Sequence, residues 1–226
     1  VTPASLLLWI LIGYLCGSIP FGVMIARARG VDIRKTGSGN IGATNVGRVL
    51  GRRWGIACFI LDGLKGLLPV LLAGILSGPL RADQTLTAAS LGAWMLVMAA
   101  TVIGHMASLF LRFRGGKGVA TSFGACLGIW PVLTIPILAA LVVWIVTLRV
   151  GRMVSLASVT SAVALPFLIV IWSLVPAGLP WSAPLHTIWP VCAIAVLLCA
   201  FVIWRHRTNI SRIRQGSEPR IGDANR

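Results

Sequence analysis

The chain has 226 residues, enough for one or two soluble domains, but 57% of them are hydrophobic, only 11% are charged, and the mean hydropathy is +0.92. A water-soluble fold needs more polar surface than that, which all but excludes a soluble enzyme or a nucleic-acid-binding domain and points to an integral membrane protein. The charge is lopsided, with 20 Lys and Arg against 5 Asp and Glu; between membrane spans basic residues set orientation in the bilayer, leaving a minority to hold something anionic.

The first apolar run covers residues 5–26. It has no basic leader and is followed by Arg-rich sequence instead of a small-residue cleavage site, so it is expected to remain as a span. Next comes GSGNIGATNVGR at 37–48, which combines glycines, small hydroxyls, amides and a cation. Such composition suits an anion. Glycines let successive backbone N–H groups converge on phosphate oxygens, Ser38, Thr44 and Asn45 can donate hydrogen bonds, and Arg48 can pair bidentately. Gly37, Gly39 and Gly42 also spell GxGxxG, with Asp62 twenty residues further on. A dinucleotide-binding fingerprint is nevertheless rejected, because it needs a soluble strand before the glycines and a βαβ unit around them.

The second run, 55–76, contains Asp62 and Lys65, three residues apart on one helix face and able to neutralise one another. Either one of them faces a site or the pair holds helices together; the spacing leaves both readings open. The third run, 86–111, carries His105 in its last part, where a packed, hydrogen-bonded role is expected. After it, RFRGGKGVAT at 112–121 is not a Walker A loop, since Leu111 and Gly118 occupy two of its required positions. Lys117 on a glycine turn at a helix N-terminus is still a plausible phosphate cradle, with backbone donors, helix dipole and point charge acting together.

The run at 119–148 is too long for one ordinary span and is divided at Trp130-Pro131, giving an unusually short fourth helix expected to pack inside protein or thin the bilayer. Runs at 153–175 and 186–204 follow, and His186, near Trp181 and Trp189, is read as interfacial. Residues 1–204 are expected to form one transmembrane domain and 205–226 a basic cytoplasmic segment, helical at the interface or partly disordered. His206 lies at the inner end of the last span and is the strongest candidate among the three histidines, against a plain basic-tail reading.

Seven spans with the N-terminus outside and the C-terminus cytoplasmic put the basic loops and the six tail arginines inside, leaving only Arg81 in an outer loop. Six spans would place Arg149, Arg152 and the tail outside. Cys16, Cys58, Cys126, Cys192 and Cys199 all fall in apolar stretches and read as buried thiols. None of the histidines has an Asp five residues later, and HExxH, GxSxG and paired carboxylates are absent, so metal, serine-hydrolase and glycosidase chemistry lack their usual residues. No cofactor or metal is expected.

Three polar segments in order, GSGNIGATNVGR, GHMASLFLRFRGGKGVAT and WRHRTNISRIRQGSEPRIG, with DGLKG and RMVSLAS between them, closely resemble the bacterial acyl-phosphate:glycerol-3-phosphate acyltransferase family over nearly the whole chain. The resemblance implies an all-α, seven-span inner-membrane enzyme that moves a fatty acyl group from acyl phosphate to the sn-1 hydroxyl of glycerol 3-phosphate, giving lysophosphatidic acid and phosphate. It implies that Ser38 and Arg48, with Asn40, Thr44 and Asn45 around them, and Lys117 with Gly115, Gly116 and Gly118, bind substrate phosphates. It also implies that Ser155, His206 and Asn209 line the glycerol 3-phosphate side, with Glu218 structural. Two positions depart from the pattern: Ser108 stands where a Pro is expected, and Thr208 where an acidic residue is common.

Both substrates carry phosphate and one carries an acyl chain, so a cationic glycine-rich site at the cytoplasmic membrane surface is where they could meet. Direct attack by the hydroxyl on the acyl carbonyl is expected, with Arg48 and Lys117 stabilising charge and no acyl-enzyme. The proton goes either to His206 or to a substrate phosphate oxygen, since no buried carboxylate is evident near the three segments. Membrane lipids are the surroundings, nucleic acid is not a partner, and the chain is expected to be monomeric, fed by an enzyme that makes acyl phosphate. The alternative is a transporter or channel for phosphate or a phosphorylated metabolite, which only Asp62 and Lys65 keep open.

Overall fold

The structure, a computed structural model, describes residues 2–80, 86–175 and 185–222. Arg81 and Trp181 lie outside the described residues. All regular elements described are helical: α1 (Pro3–Ser18), α2 (Phe21–Arg27), α3 (Ala43–Leu50), α4 (Arg52–Ser77), α5 (Ala88–Met106), α6 (Val119–Gly128), α7 (Thr134–Gly151), α8 (Val154–Ser173), α9 (Leu185–Arg205) and α10 (Arg207–Arg214). Six stretches are long and apolar enough to cross a membrane: Pro3–Arg27, Arg52–Ser77, Ala88–Leu111, Thr134–Gly151, Val154–Ser173 and Leu185–Arg205. The seventh expected helix exists as α6, but its ten residues rise only about 15 Å, half the thickness of a hydrocarbon core.

Local chemistry explains the boundaries. Thr2 caps α1 by accepting the Ser5 N–H at 3.2 Å, and Pro20 separates α1 from α2 within one span. Thr87 and Ser90 form a reciprocal capping box that starts α5. Gly128 ends α6 and Pro131 precedes α7, so the break falls where the Trp130-Pro131 dipeptide predicts it.

The chain divides into two compact units, Val1–Trp130 and Pro131–Arg226. In the first, α1 packs on α5 through small residues: a Cβ at Gly17 would collide with the Thr101 carbonyl, and one at Gly104 with the Tyr14 carbonyl. Without water to expel between helices in lipid, close backbone approach of this kind holds them together. The Ser108 hydroxyl adds a bond of 2.6 Å to the Ser18 carbonyl and Tyr14 Oη one of 2.9 Å to that of Ala107, so the serine at the departing position ties the ends of α1 and α5. Gly63, Gly66 and Gly124 bring α4 and α6 equally close, which is how the short helix is packed inside protein.

In the second unit α7 pairs with α8 and α8 with α9. Ser161 donates to the Ala140 carbonyl at 2.7 Å, and Trp144 to Ser158 at 3.3 Å. The basic tail is not a separate appendage: α10 packs on α8 and α9, and Ile221 N–H donates to the Arg152 carbonyl at 2.7 Å. Leu7, Phe167 and Leu197 are two-thirds exposed, the outward apolar surface a lipid-facing bundle requires. That surface also corrects the cysteine reading: Cys58 and Cys126 are buried, while Cys16, Cys192 and Cys199 are half-buried, and all five are free thiols.

Candidate active site

The first glycine segment wraps around one side chain. Asn45 is 2% exposed, and its amide nitrogen donates to the carbonyls of Ile33 (3.3 Å), Thr36 (3.0 Å) and Asn40 (2.9 Å), while its oxygen accepts the Ser38 N–H at 2.9 Å. An amide offers two hydrogens, and three carbonyls share them here, so the nitrogen of Asn45 is engaged in shaping the loop. Gly37 takes the left-handed φ of +62° that brings the chain past this amide. Asn40 accepts the Gly42 N–H at 2.8 Å, turning the chain into α3. What the loop presents outward is the Ser38 hydroxyl, the Thr44 hydroxyl and the Arg48 guanidinium, all exposed.

Below the second glycine segment lies a buried charged group. Lys65 Nζ is 2.7 Å from Asp62 Oδ1 and donates to the Ile19 carbonyl at 2.6 Å, while Cys58 Sγ donates to Asp62 Oδ2 at 3.6 Å. His105 Nδ1 is 3.7 Å from the same Asp62 oxygen. Asp62 and Lys65, in the apolar part of α4, are thus paired with each other and reach the α1–α2 break and α5. Asp62 also corrects the expectation that no buried carboxylate lies near the polar segments, because it reaches the second of them through His105.

Gly115 and Gly116 fold back onto the end of α5. The Gly116 N–H donates to the His105 carbonyl at 3.2 Å, a Cβ on Gly115 would strike that carbonyl, and a Cβ on Gly116 would strike the imidazole at Nε2. Gly118, at φ +80°, then opens α6. Half-buried Lys117 is held between these turns just before the helix N-terminus, where unpaired N–H groups, the helix dipole and the ammonium all favour an anion.

The second unit carries a different cluster. Glu218, whose side chain is 7% exposed, accepts at Oε1 from Ser155 Oγ (2.6 Å) and Asn209 Nδ2 (2.6 Å), and at Oε2 from Arg212 Nε (2.8 Å). Burial raises its carboxyl, but the hydrogen bonds from Ser155, Asn209 and Arg212 and the guanidinium charge outweigh this and hold it below the usual glutamate range. Two of the expected ligand residues are therefore brought together by the residue expected to be structural. His206, 2% exposed, caps α10, and its Nδ1 lies 2.8 Å from the Val202 carbonyl. A carbonyl only accepts, so in the neutral ring Nδ1 holds the proton and Nε2 the basic lone pair. His186 is exposed in the first turn of α9 and joins neither cluster. Among the described residues no three His, Cys, Asp or Glu side chains gather to hold a metal.

The sequence reading missed the pairing of His105 with Asp62. Its signal was there: an ionisable residue inside a membrane run is costly alone, and Asp62 and His105 were two such residues on neighbouring runs.

The family model for glycerol-3-phosphate acyltransferase matches residues 7–216. A curated glycerol-3-phosphate acyltransferase from Geotalea daltonii is 46% identical over 205 residues, 91% of this chain and 92% of that one, and one from Desulforamulus reducens is 43% identical over 94% of each. Among solved structures, PlsY, described as an integral membrane glycerol 3-phosphate acyltransferase, superposes in its glycerol 3-phosphate form with a TM-score of 0.80 at 36% identity over 98% of both chains, and in its lysophosphatidic acid form with 0.78 over 96% of both. The chain, a multi-pass membrane acyltransferase, belongs to the glycerol-3-phosphate acyltransferase family.

Proposed function

We propose that the protein transfers a fatty acyl group from acyl phosphate to the sn-1 hydroxyl of glycerol 3-phosphate, at the cytoplasmic face of a bacterial inner membrane. The hydroxyl oxygen attacks the acyl carbonyl carbon, an oxyanion forms, and its collapse breaks the bond to the phosphate oxygen, giving lysophosphatidic acid and inorganic phosphate. The observation that carries this reading is the Lys117 turn: a half-buried lysine that follows two close-packed glycines and directly precedes the N-cap of α6. Lys117, with Gly115, Gly116 and Gly118, binds a substrate phosphate and stabilises charge as it accumulates on the leaving group. Ser38, Asn40 and Thr44 belong to the first loop, whose Arg48 offers a bidentate donor to a second phosphate.

In the second unit Ser155, His206 and Asn209 serve glycerol 3-phosphate. The hydroxyl proton is taken by His206 Nε2 or by a phosphate oxygen of the substrate; retention of most turnover in His206→Ala would remove the histidine from that role. Acyl phosphate already has a good leaving group, so orientation and charge stabilisation suffice and no enzyme nucleophile is required. The forms in which the PlsY relatives were solved, with glycerol 3-phosphate and with lysophosphatidic acid, support the acceptor and product named here.

The reading is tested by offering purified protein synthetic acyl phosphate or acyl-CoA in parallel, each with glycerol 3-phosphate. Lysophosphatidic acid from acyl phosphate alone is expected. Product from acyl-CoA alone would replace the donor, and a folded preparation inert to both would turn attention to transport in sealed vesicles.

A further inference from the structure

Cys58, Asp62, Lys65 and His105 have no part in the reaction above, yet all four are at most 5% exposed, and charge is not kept in a membrane helix without consequence. Neutralising Lys65 needs only Asp62, at 2.7 Å, and the Ile19 carbonyl, at 2.6 Å. Nothing in that requirement calls for His105, whose Nδ1 stands 3.7 Å from Asp62 Oδ1, within ion-pair reach though beyond a hydrogen bond. The opposite edge of the ring explains its presence. Nε2 lies against Gly116 so closely that a methyl group there would not fit, and the His105 carbonyl takes the Gly116 N–H at 3.2 Å. Gly116 is gripped by both the main chain and the side chain of one residue, immediately before Lys117.

We infer that Asp62 and His105 are positioning residues for the phosphate-binding turn. Asp62 sets the orientation of the imidazole, the imidazole sets Gly116, and Gly116 fixes where Lys117 and the first N–H groups of α6 point. Lys65 keeps the assembly neutral and anchors it to the α1–α2 break. The inference rests on the reading of the Lys117 turn as a phosphate site and adds how that site is held to shape.

Three variants test it: His105→Gln, His105→Phe, and the charge-neutral double variant Asp62→Asn with Lys65→Met. Each is purified in detergent, its melting is recorded, and two quantities are measured: the KM for acyl phosphate and the equilibrium affinity for inorganic phosphate. For His105→Phe and the double variant, both are expected to weaken on the order of tenfold in preparations that still melt cooperatively, with kcat changing less. His105→Gln, which keeps a polar edge of similar reach, should recover part of the loss. Folded variants with wild-type KM and phosphate affinity would overturn the inference, as would full recovery of both in the double variant, since Asp62 would then serve only to neutralise Lys65. Lys117→Ala separates the two readings: if it also leaves phosphate affinity unchanged, the turn is not a phosphate site and both fail; if it alone abolishes binding, only the positioning role fails.

Discussion

Among the described residues each unit holds one buried carboxylate in a polar cluster, and the two clusters differ in their surroundings. Asp62 sits inside α4 with its partners Lys65 and His105 at most 5% exposed, whereas Glu218 lies beyond the last span and shares its charge with Arg212, whose side chain is 41% exposed. Those surroundings decide what each carboxylate can be replaced by. A charge removed from a dry pair strands its partner, while loss of the Glu218 carboxylate leaves in Arg212 a guanidinium that water can reach.

The sharpest test of this contrast is therefore Lys65→Ala, which leaves Asp62 charged and buried. A loss of about 3–5 kcal/mol is expected, enough to abolish folded yield in a marginal membrane protein, and Asp62→Asn in the same chain should restore part of it. Fluorescence-detected size exclusion and thermal melts read both. Next in size, Lys117→Ala and Arg48→Ala should lower kcat/KM by roughly a hundredfold each without moving the melting temperature, because their job is at the developing charge. Arg48→Lys, which keeps the charge but loses the fork, should cost roughly tenfold.

At the Glu218 end the effects are smaller and depend on pH. The Glu218 carboxyl is held below its unfolded value, so its contribution is fully present above about pH 4.3 and is lost as pH falls through the folded value. Glu218→Gln should lower the melting temperature at pH 7, and the gap between variant and wild type should close as the pH is taken below about 4. A gap independent of pH would mean that shape, not charge, is what Glu218 supplies. Smallest of all, Ser155→Ala removes one of the three donors to that carboxylate and should cost on the order of 1–2 kcal/mol, read as a shift of the same melts.

The spans were legible because hydropathy over twenty residues leaves few alternatives, and the break at Trp130-Pro131 was legible because proline cannot continue a helix. The loops were legible as to charge but not as to use. Asn45 looked like a ligand donor because composition records which groups are present and not where their hydrogen bonds go; only the fold shows the amide turned inward onto three carbonyls. Glu218 shows the converse: a residue set aside as structural gathers Ser155 and Asn209, since a carboxylate in a polar tail carries no periodic signal of its partners. The packing of α6 onto α4 through Gly63 and Gly124 was hidden too, because glycines spaced for helix contact look the same as glycines spaced for loops.

One measurement bears most directly on the reaction: purified protein is given acyl phosphate with and without glycerol 3-phosphate, and labelled inorganic phosphate is included to report exchange. Direct transfer predicts phosphate release only when both substrates are present, lysophosphatidic acid in equal amount, and no label entering acyl phosphate when the acceptor is absent. Label entering acyl phosphate without glycerol 3-phosphate would instead mark an acyl group held on the protein, and would contradict a mechanism built on orientation and charge stabilisation alone.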